Sequence, residues 1–410
     1  MPYTARSYVW LCLLVLLLSA CTGTSEQSPE TLLVVANRAA DDDAAHIALL
    51  RSSTLSSLIP AEQRRLEART ALPANPIAYD LRSRANRRDS LVVLSRERAE
   101  LGILSFFDVA DLDPENLPDR LERLRPDVRL ELNTLAIDSN NVSVAPEGLC
   151  PVALQVSATG RYLALLSDSQ LSGCNVISNS AISILDMGSS PGATPTLVFH
   201  EETFPIFSRS FYMLQAEDND RLFYFRESTG DPDMRVVRLS QARVDNGDLA
   251  SERVALLTNS DAIVDIAPLG NSLVLLQNSQ FVAINSFAES PQVQEAISSS
   301  SGSRRIIRND FAKPPLRLYT LSSNRFSIHR SLSDDAPQSI NLSAQDGTLE
   351  SINDFLYLVD RERVIRFDVL TYDGGSLNNS AFLSLNTPEL RDPVFVTWIE
   401  ARLEALANAR

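Results

Sequence analysis

Three histidines, His46, His200 and His329, and four cysteines, Cys12, Cys21, Cys150 and Cys174, are the side chains in this 410-residue chain best suited to metal binding or covalent chemistry. No two histidines fall in an H-x-x-x-H or H-E-x-x-H spacing and no cysteines in C-x-x-C, so a zinc site is unsupported. Each histidine reads instead as a solvated or hydrogen-bonded side chain on or beside a strand. Acidic clusters stand at Asp41-Asp42-Asp43, at Glu217-Asp218-Asn219-Asp220 and at Asp334-Asp335. They lack the glycine and distal glutamate of a calcium loop and read as charged hairpin tips, with calcium the one cofactor they leave open. There is no phosphate-binding Walker loop and no G-x-G-x-x-G, and no serine has a recognisable base beside it. No catalytic residue and no resident cofactor is expected.

The remaining chemistry is that of the thiols, and the first of these depends on where the chain goes. Arg6 is the only charged side chain in the first twenty residues, and the apolar stretch YVWLCLLVLLL follows it. That layout is a secretory signal. A membrane-spanning helix takes about 20 apolar residues, and this run turns polar at Ser19. The residues before the expected cut, Leu18, Ser19, Ala20 and Cys21, resemble the lipobox of bacterial lipoproteins. The resemblance implies diacylglyceryl transfer to the Cys21 sulfur and cleavage before it; the simpler alternative is a plain signal peptide with an incidental cysteine. Two or more acyl chains such as palmitate give stable anchoring where one does not. Residues 1–20 are then the signal peptide, and 21–30 a flexible polar tether. The protein sits in the cell envelope, held to a membrane that faces the periplasm or the exterior. Thr22 follows the cysteine, where the family's inner-membrane retention signal would be aspartate, so in a two-membrane cell the resemblance implies the outer membrane.

With Cys12 removed and Cys21 acylated, Cys150 and Cys174 are the cysteines left over. An isolated pair in an exported protein is most simply a disulfide, the alternative being two separately buried thiols. Closing that loop would stabilise the fold by roughly 3–4 kcal/mol in the chain-entropy account.

The rest of the chain, 31–410, consists of short runs rich in Val, Leu, Ile, Phe and Tyr with polar turns between them, which reads as all-β. The clearest unit is Val152 to Asp168, two strands flanking Ala158-Thr159-Gly160-Arg161. AISILDM at Ala181 to Met187 and TPTLVFHEE at Thr194 to Glu202 supply a third and a fourth strand. This unit resembles a blade of the YVTN/WD40-like β-propellers, with Gly160-Arg161 in the turn and Ile184-Leu185-Asp186 in the third strand; the Pro and Asp of the family's turn are absent. Weaker copies begin at Thr31, Ser90, Arg221, Ser272, Arg317 and Phe355. Their spacing of roughly 40–60 residues approaches the 40–45 of a propeller blade. The expectation is a propeller of seven blades with four antiparallel strands each, closed by pairing TLLVVAN with PVFVTWI at Pro393 to Ile399. Helical insertions are expected within 59–88, at AEQRRLEARTAL, and at 111–126, and a short helix in the final EARLEALANAR.

A formal charge of −15, with Lys313 the only lysine, repels phosphate backbones and makes nucleic acid an unsuitable partner. Two functional readings follow. In the first, the propeller is a non-catalytic binding or scaffold protein, displayed by its lipid to a protein, peptide or glycan; an assembly factor like the propeller lipoprotein of the barrel-insertion machinery is one form of it. The second is a hydrolase or lactonase with a metal held in the central channel by side chains from separate blades. Resemblance to quinoprotein propellers fails, because it implies repeated tryptophan docking motifs and only Trp398 lies beyond the signal. The oligomeric state is open.

Overall fold

A strand such as Leu32-Leu33-Val34-Val35 presents apolar side chains on both faces, so it is stable only when sandwiched between two other layers. The computed structural model builds that arrangement seven times. It describes residues 30–40, 43–51, 66–84, 87–99, 101–108, 128–130, 150–157, 159–175, 179–188, 193, 195–203, 209–215, 219–228, 231–256, 262–277, 280–286, 288–299, 302–308, 317–330, 337–350, 355–360, 363–368, 382–385 and 392–401.

The chain opens with β1 (Glu30–Asn37), β2 (His46–Arg51) and β3 (Leu66–Ala71). A second sheet comprises β4 (Asn75–Arg84), β5 (Arg87–Arg98), β6 (Leu101–Asp108) and β7 (Val128–Leu130). The third has β8 (Pro151–Val156), β9 (Tyr162–Ser167), β10 (Ala181–Asp186) and β11 (Thr196–Glu202). The fourth has β12 (Phe211–Gln215), β13 (Asp220–Ser228), β14 (Asp231–Leu239) and β15 (Ser251–Leu256), with the short helix α1 (Gln241–Asp245) before its last strand. The fifth has β16 (Ile263–Leu269), β17 (Ser272–Gln277), β18 (Gln280–Asn285) and β19 (Val293–Ser299). The sixth has β20 (Arg305–Ile306), β21 (Leu318–Leu321), β22 (Arg325–His329) and β23 (Gln338–Asn341). The seventh has β24 (Asp346–Glu350), β25 (Phe355–Val359), β26 (Val364–Asp368) and β27 (Phe382–Leu385). Finally β28 (Pro393–Ala401) returns to the first sheet, giving the order β28-β1-β2-β3.

Every neighbouring pair within a sheet is antiparallel, and among the described residues there are seven four-stranded sheets. The expected closure holds in register: Leu32 faces Ile399, Leu33 faces Trp398 and Val35 faces Val396. The ring therefore ends in a blade that both ends of the propeller build together.

Alternation explains the core. Leu32, Val34 and Ala36 point toward the second blade and pack with Leu91, Val93 and Phe107. Leu33 and Val35 point the other way, onto Tyr357, Val359 and Val364 of the seventh. One apolar cluster fills each of the other five junctions. Each fully buried Val, Leu or Ile is worth roughly 1.5–3 kcal/mol, and no blade buries both faces without two neighbours.

The expected helix at AEQRRLEARTAL does not form: Leu66–Ala71 is β3, paired antiparallel with β2 from Leu50–Leu66 to His46–Ala71. The pairing of β2's outer edge overrides helix propensity, which is worth only tenths of a kcal/mol per residue. From Leu66 on, the 59–88 stretch carries the outer strand of one blade and the inner strand β4 of the next, while 59–65 lie outside the described residues. The 111–126 segment lies outside the described residues, as do 402–410, while Glu400 and Ala401 extend β28. Among the described residues, no helix is long and apolar enough to cross a membrane.

Candidate functional site in the axial channel

The strands next to the axis are β28, β4, β8, β12, β16, β20 and β24, one per blade. Their axial edges have no further strand to pair with, and an unsatisfied buried backbone group costs about as much as a lost hydrogen bond. Side chains fill that role at every junction. Tyr79 donates its hydroxyl to the Val396 carbonyl at 3.2 Å, joining the second blade to the first. Asp80 accepts the Val156 N–H at 2.6 Å, second to third. Gln155 donates to the Phe211 carbonyl at 3.0 Å and accepts the Met213 N–H, third to fourth. Arg209, two residues before β12, holds both oxygens of Asp265 with its Nε at 3.0 Å, fourth to fifth. Asp265 accepts the Ile306 N–H at 2.7 Å, fifth to sixth. Arg305 pairs with Asp346 at 3.2 Å, sixth to seventh. Trp398 donates its indole N–H to the Leu349 carbonyl at 2.6 Å, and the circle is complete.

Asp80 and Asp265 do this in the same way. Each spends one carboxylate oxygen on the next N–H of its own strand, Leu81 or Ile266, both at 2.8 Å, and the other on the inner strand of the following blade. Such charge-assisted bonds to backbone N–H groups are about twice as strong as neutral ones.

Within this ring lies a cavity of about 220 Å³, lined by six of the seven inner strands and their leading residues. Its charged lining is Arg209, Arg305, Arg308 and Asp346. Arg209 is neutralised by the fully buried Asp265 and also donates to the Ile306 carbonyl at 3.1 Å. Burial works against its charge, but Asp265 and then Asp346 outweigh that and hold its pKa above the usual arginine value. Arg305 and Arg308 go the other way. Burial depresses both; Asp346 opposes the shift at Arg305, and the like charge of Arg209 adds to it at each. Arginine stays protonated in proteins, so the depressed values mark cations whose surroundings do not fully compensate them. Arg308 lies over the Tyr212 ring at 5.2 Å and reaches the Phe211 carbonyl at 3.4 Å. It has no carboxylate partner among the described residues. The Nε atoms of Arg305 and Arg308 and the Oδ2 atom of Asp346 are shielded from solvent and have no hydrogen-bond partner among the described residues.

The three histidines sit in three different blades and do not converge. His46 contacts the Ala44 carbonyl at 3.0 Å and Arg69 at 3.1 Å. His200 meets the Ser183 hydroxyl at 3.0 Å, and burial lowers its pKa against the opposing pull of Glu202 and Glu201. His329 meets the Thr320 hydroxyl at 3.2 Å and packs edge-on to Phe281. Cys150 and Cys174 are joined in a disulfide with Cα atoms 6.0 Å apart. It ties the entry of β8 to the β9–β10 connection, on the face where the inner strands begin and where the cavity lies. Leu18, Ser19, Ala20 and Cys21 lie outside the described residues.

The first two acidic clusters fall in the β1–β2 and β12–β13 connections, with Asp41, Asp42, Glu217 and Asp218 outside the described residues. Asp43 is ion-paired with Arg69, and Asp220 is buried at the start of β13; Asp334 and Asp335 lie outside the described residues. A metal in the channel needs three or more converging donors. No group of three His, Cys, Asp or Glu side chains comes together among the described residues, and both oxygens of Asp80 and of Asp265 are already engaged.

Gly188-Ser189-Ser190-Pro191-Gly192 does spell the G-x-S-x-G of a hydrolase nucleophile. That motif works on a strand–turn–helix elbow; Ser189 to Gly192 lie outside the described residues. The channel arginines escaped sequence reading because they are scattered over a hundred residues. The available signal was a charged residue inside an apolar run, Asp265 in IVDIAPL or Asp80 in PIAYDLR, since buried charges are seldom left unpaired.

Seven four-stranded blades around a stapled, charged axis define a seven-bladed β-propeller. No protein-family model matches the sequence, and neither does any curated protein. Solved structures do match. One is a functionally unknown protein from Desulfotomaculum acetoxidans, with a TM-score of 0.52 and 9% identity over 90% of this chain and 99% of that one. Another is a protein from Lactobacillus plantarum, at 0.51 and 12% over 91% and 100%. AztD from Citrobacter koseri matches at 0.50 and 11% over 92% and 100%. At such identities the likeness shows the shared fold alone.

Proposed function

We propose that this protein is a non-catalytic binding propeller, anchored by an acylated Cys21 outside the cytoplasm and presenting a rigid ring to partners in the cell envelope. The observation that carries this reading is the use of the axial polar groups. Asp80, Gln155, Arg209 and Asp265 are committed to holding adjacent blades together, and a group fixed in that way is poorly suited to shuttling protons or ligating a metal. What they provide is rigidity, which lowers the entropic cost of binding. The lipobox resemblance, the tether and the disulfide fit an envelope address.

Metabolic labelling with a radiolabelled fatty acid tests the anchor, with label expected on the wild-type chain and none on Cys21→Ala. Crosslinking in intact envelopes tests the binding role, with a discrete adduct expected for the wild type. Labelled Cys21→Ala protein, or turnover of a lactone or ester panel by the purified protein, would count against it.

A further inference from the structure

Arg308 stands two residues beyond β20, on the sixth blade, yet its guanidinium lies against the fourth, 5.2 Å from the centre of the Tyr212 ring and with Nη2 3.4 Å from the Phe211 carbonyl. The carboxylate of the blade between them, Asp265, does not serve it. Each Asp265 oxygen already accepts two bonds, Oδ1 from Arg209 and Ile266, Oδ2 from Arg209 and Ile306. Asp346 is taken by Arg305 at 3.2 Å, and Asp80 gives its oxygens to the Leu81 and Val156 N–H groups. Among the described residues none of the three pairs with Arg308.

A guanidinium carries five N–H donors. Here one is spent on a long contact to a neutral carbonyl, and the Nε–H is sealed from solvent without an acceptor. Nη1 has no acceptor either among the described residues, but it is not sealed. The side chain lines the axial cavity, and Nη1 is the atom left for a ligand there. Burial and then the like charge of Arg209 depress its pKa, as befits a cation short of a counter-ion.

We propose that Arg308 is an anion-binding residue whose Nη edge takes a single carboxylate group in the axial cavity. The planar edge of a guanidinium matches a flat carboxylate, which a spherical halide does not. The chain's formal charge of −15 works against anions of higher valence, so a small monocarboxylate is preferred to sulfate or phosphate. The site stands apart from the binding role proposed above: a failed titration leaves the envelope partner untouched, and missing crosslinks leave Arg308 untouched.

Thermal melts of the full chain in low-chloride buffer test the site, with titration calorimetry for the affinity. Acetate should raise the wild-type melting temperature in proportion to dose, because a ligand held only by the folded state stabilises it by mass action. Chloride and sulfate at equal ionic strength should raise it less. Arg308→Met should melt no lower than wild type without acetate, since it removes an unpaired cation, and should lose roughly tenfold or more in acetate affinity, the worth of one charge-assisted bond. Arg308→Lys keeps the charge but not the planar edge; it should lose the preference for acetate over chloride, and it covers the case in which the methionine variant folds poorly. A glutamate-containing tripeptide with blocked ends separates the sources of the carboxylate. Tighter binding than acetate assigns it to a protein partner, equal or weaker binding to a free solute, and either result keeps the site. An acetate shift no larger than that of chloride, or one undiminished in both variants, overturns it.

Discussion

The Arg161 guanidinium grips the Asp186 carboxylate with Nη2 at 2.8 Å and Nε at 3.1 Å, tying the β8–β9 turn to the end of β10. These are the two charged positions at which the blade resembles the YVTN/WD40-like repeat. The Asp186 hydrogen bond raises the Arg161 pKa against a smaller opposing effect of burial. Water still reaches a third of the arginine side chain, which limits the pair to about 0.5–1.5 kcal/mol. A double-mutant cycle of Arg161→Met and Asp186→Asn should give a coupling in that range by thermal melts. Additive single effects would remove the pair from the account of this blade.

Trp398 should dominate ring closure. It is 1% exposed and combines a packed indole with the bond to Leu349. Trp398→Ala should cost about 3–5 kcal/mol, and Trp398→Phe, which keeps most of the volume, about 1 kcal/mol for the lost hydrogen bond. Denaturant unfolding would measure both; equal losses would mean that packing is not what the indole contributes.

Asp220 should work against stability at neutral pH. Burial raises its pKa from 3.8 to about 6, against the hydrogen bond from Ser157. A carboxyl that the fold prefers protonated stabilises it fully below the unfolded value and gives that up as pH rises through the folded one. Asp220→Asn should therefore melt higher than wild type at pH 7–8, by up to roughly 3 kcal/mol, and alike at pH 3–4. Melts across that range that stay parallel would refute the shift.

Gly347 is required by close approach. A Cβ there would meet the Leu358 Cδ2 atom at 2.5 Å and the Tyr357 carbonyl oxygen at 3.0 Å. Gly347→Ala should destabilise by about 1–3 kcal/mol. A melting temperature at or above that of the wild type would show that the Leu358 side chain and the β24–β25 pair can shift to admit it.

The hairpins legible in the sequence were nearly all middle strands. Ser272–Gln277 is buried along almost its whole length between two blades, so it reads as a continuous apolar run, and so do β1, β5 and β25. Outer strands such as QSIN at Gln338–Asn341 and LEARTA at Leu66–Ala71 carry little apolar signal. Inner strands such as DGTLE and the two-residue Arg305–Ile306 are short and give a charged residue to the channel, Asp346 and Arg305. The Val152–Asp168 unit looked clearest because there an inner strand, β8, is itself apolar. The ring closure was visible because both its partners, β1 and β28, are middle or inner strands with buried faces. The channel site was not, because its members are brought together by topology alone.

The pairing of β28 with β1 also bears on synthesis. A ribosome delivers β1 long before β28, so the first sheet waits with three strands while six more are made. A product truncated before Pro393 would bare the β1 edge and the apolar side chains that Phe395, Val396 and Ile399 cover, an invitation to aggregation or proteolysis. Folding of this ring thus inspects its own completeness: only chains that carry the propeller's far end can shut it.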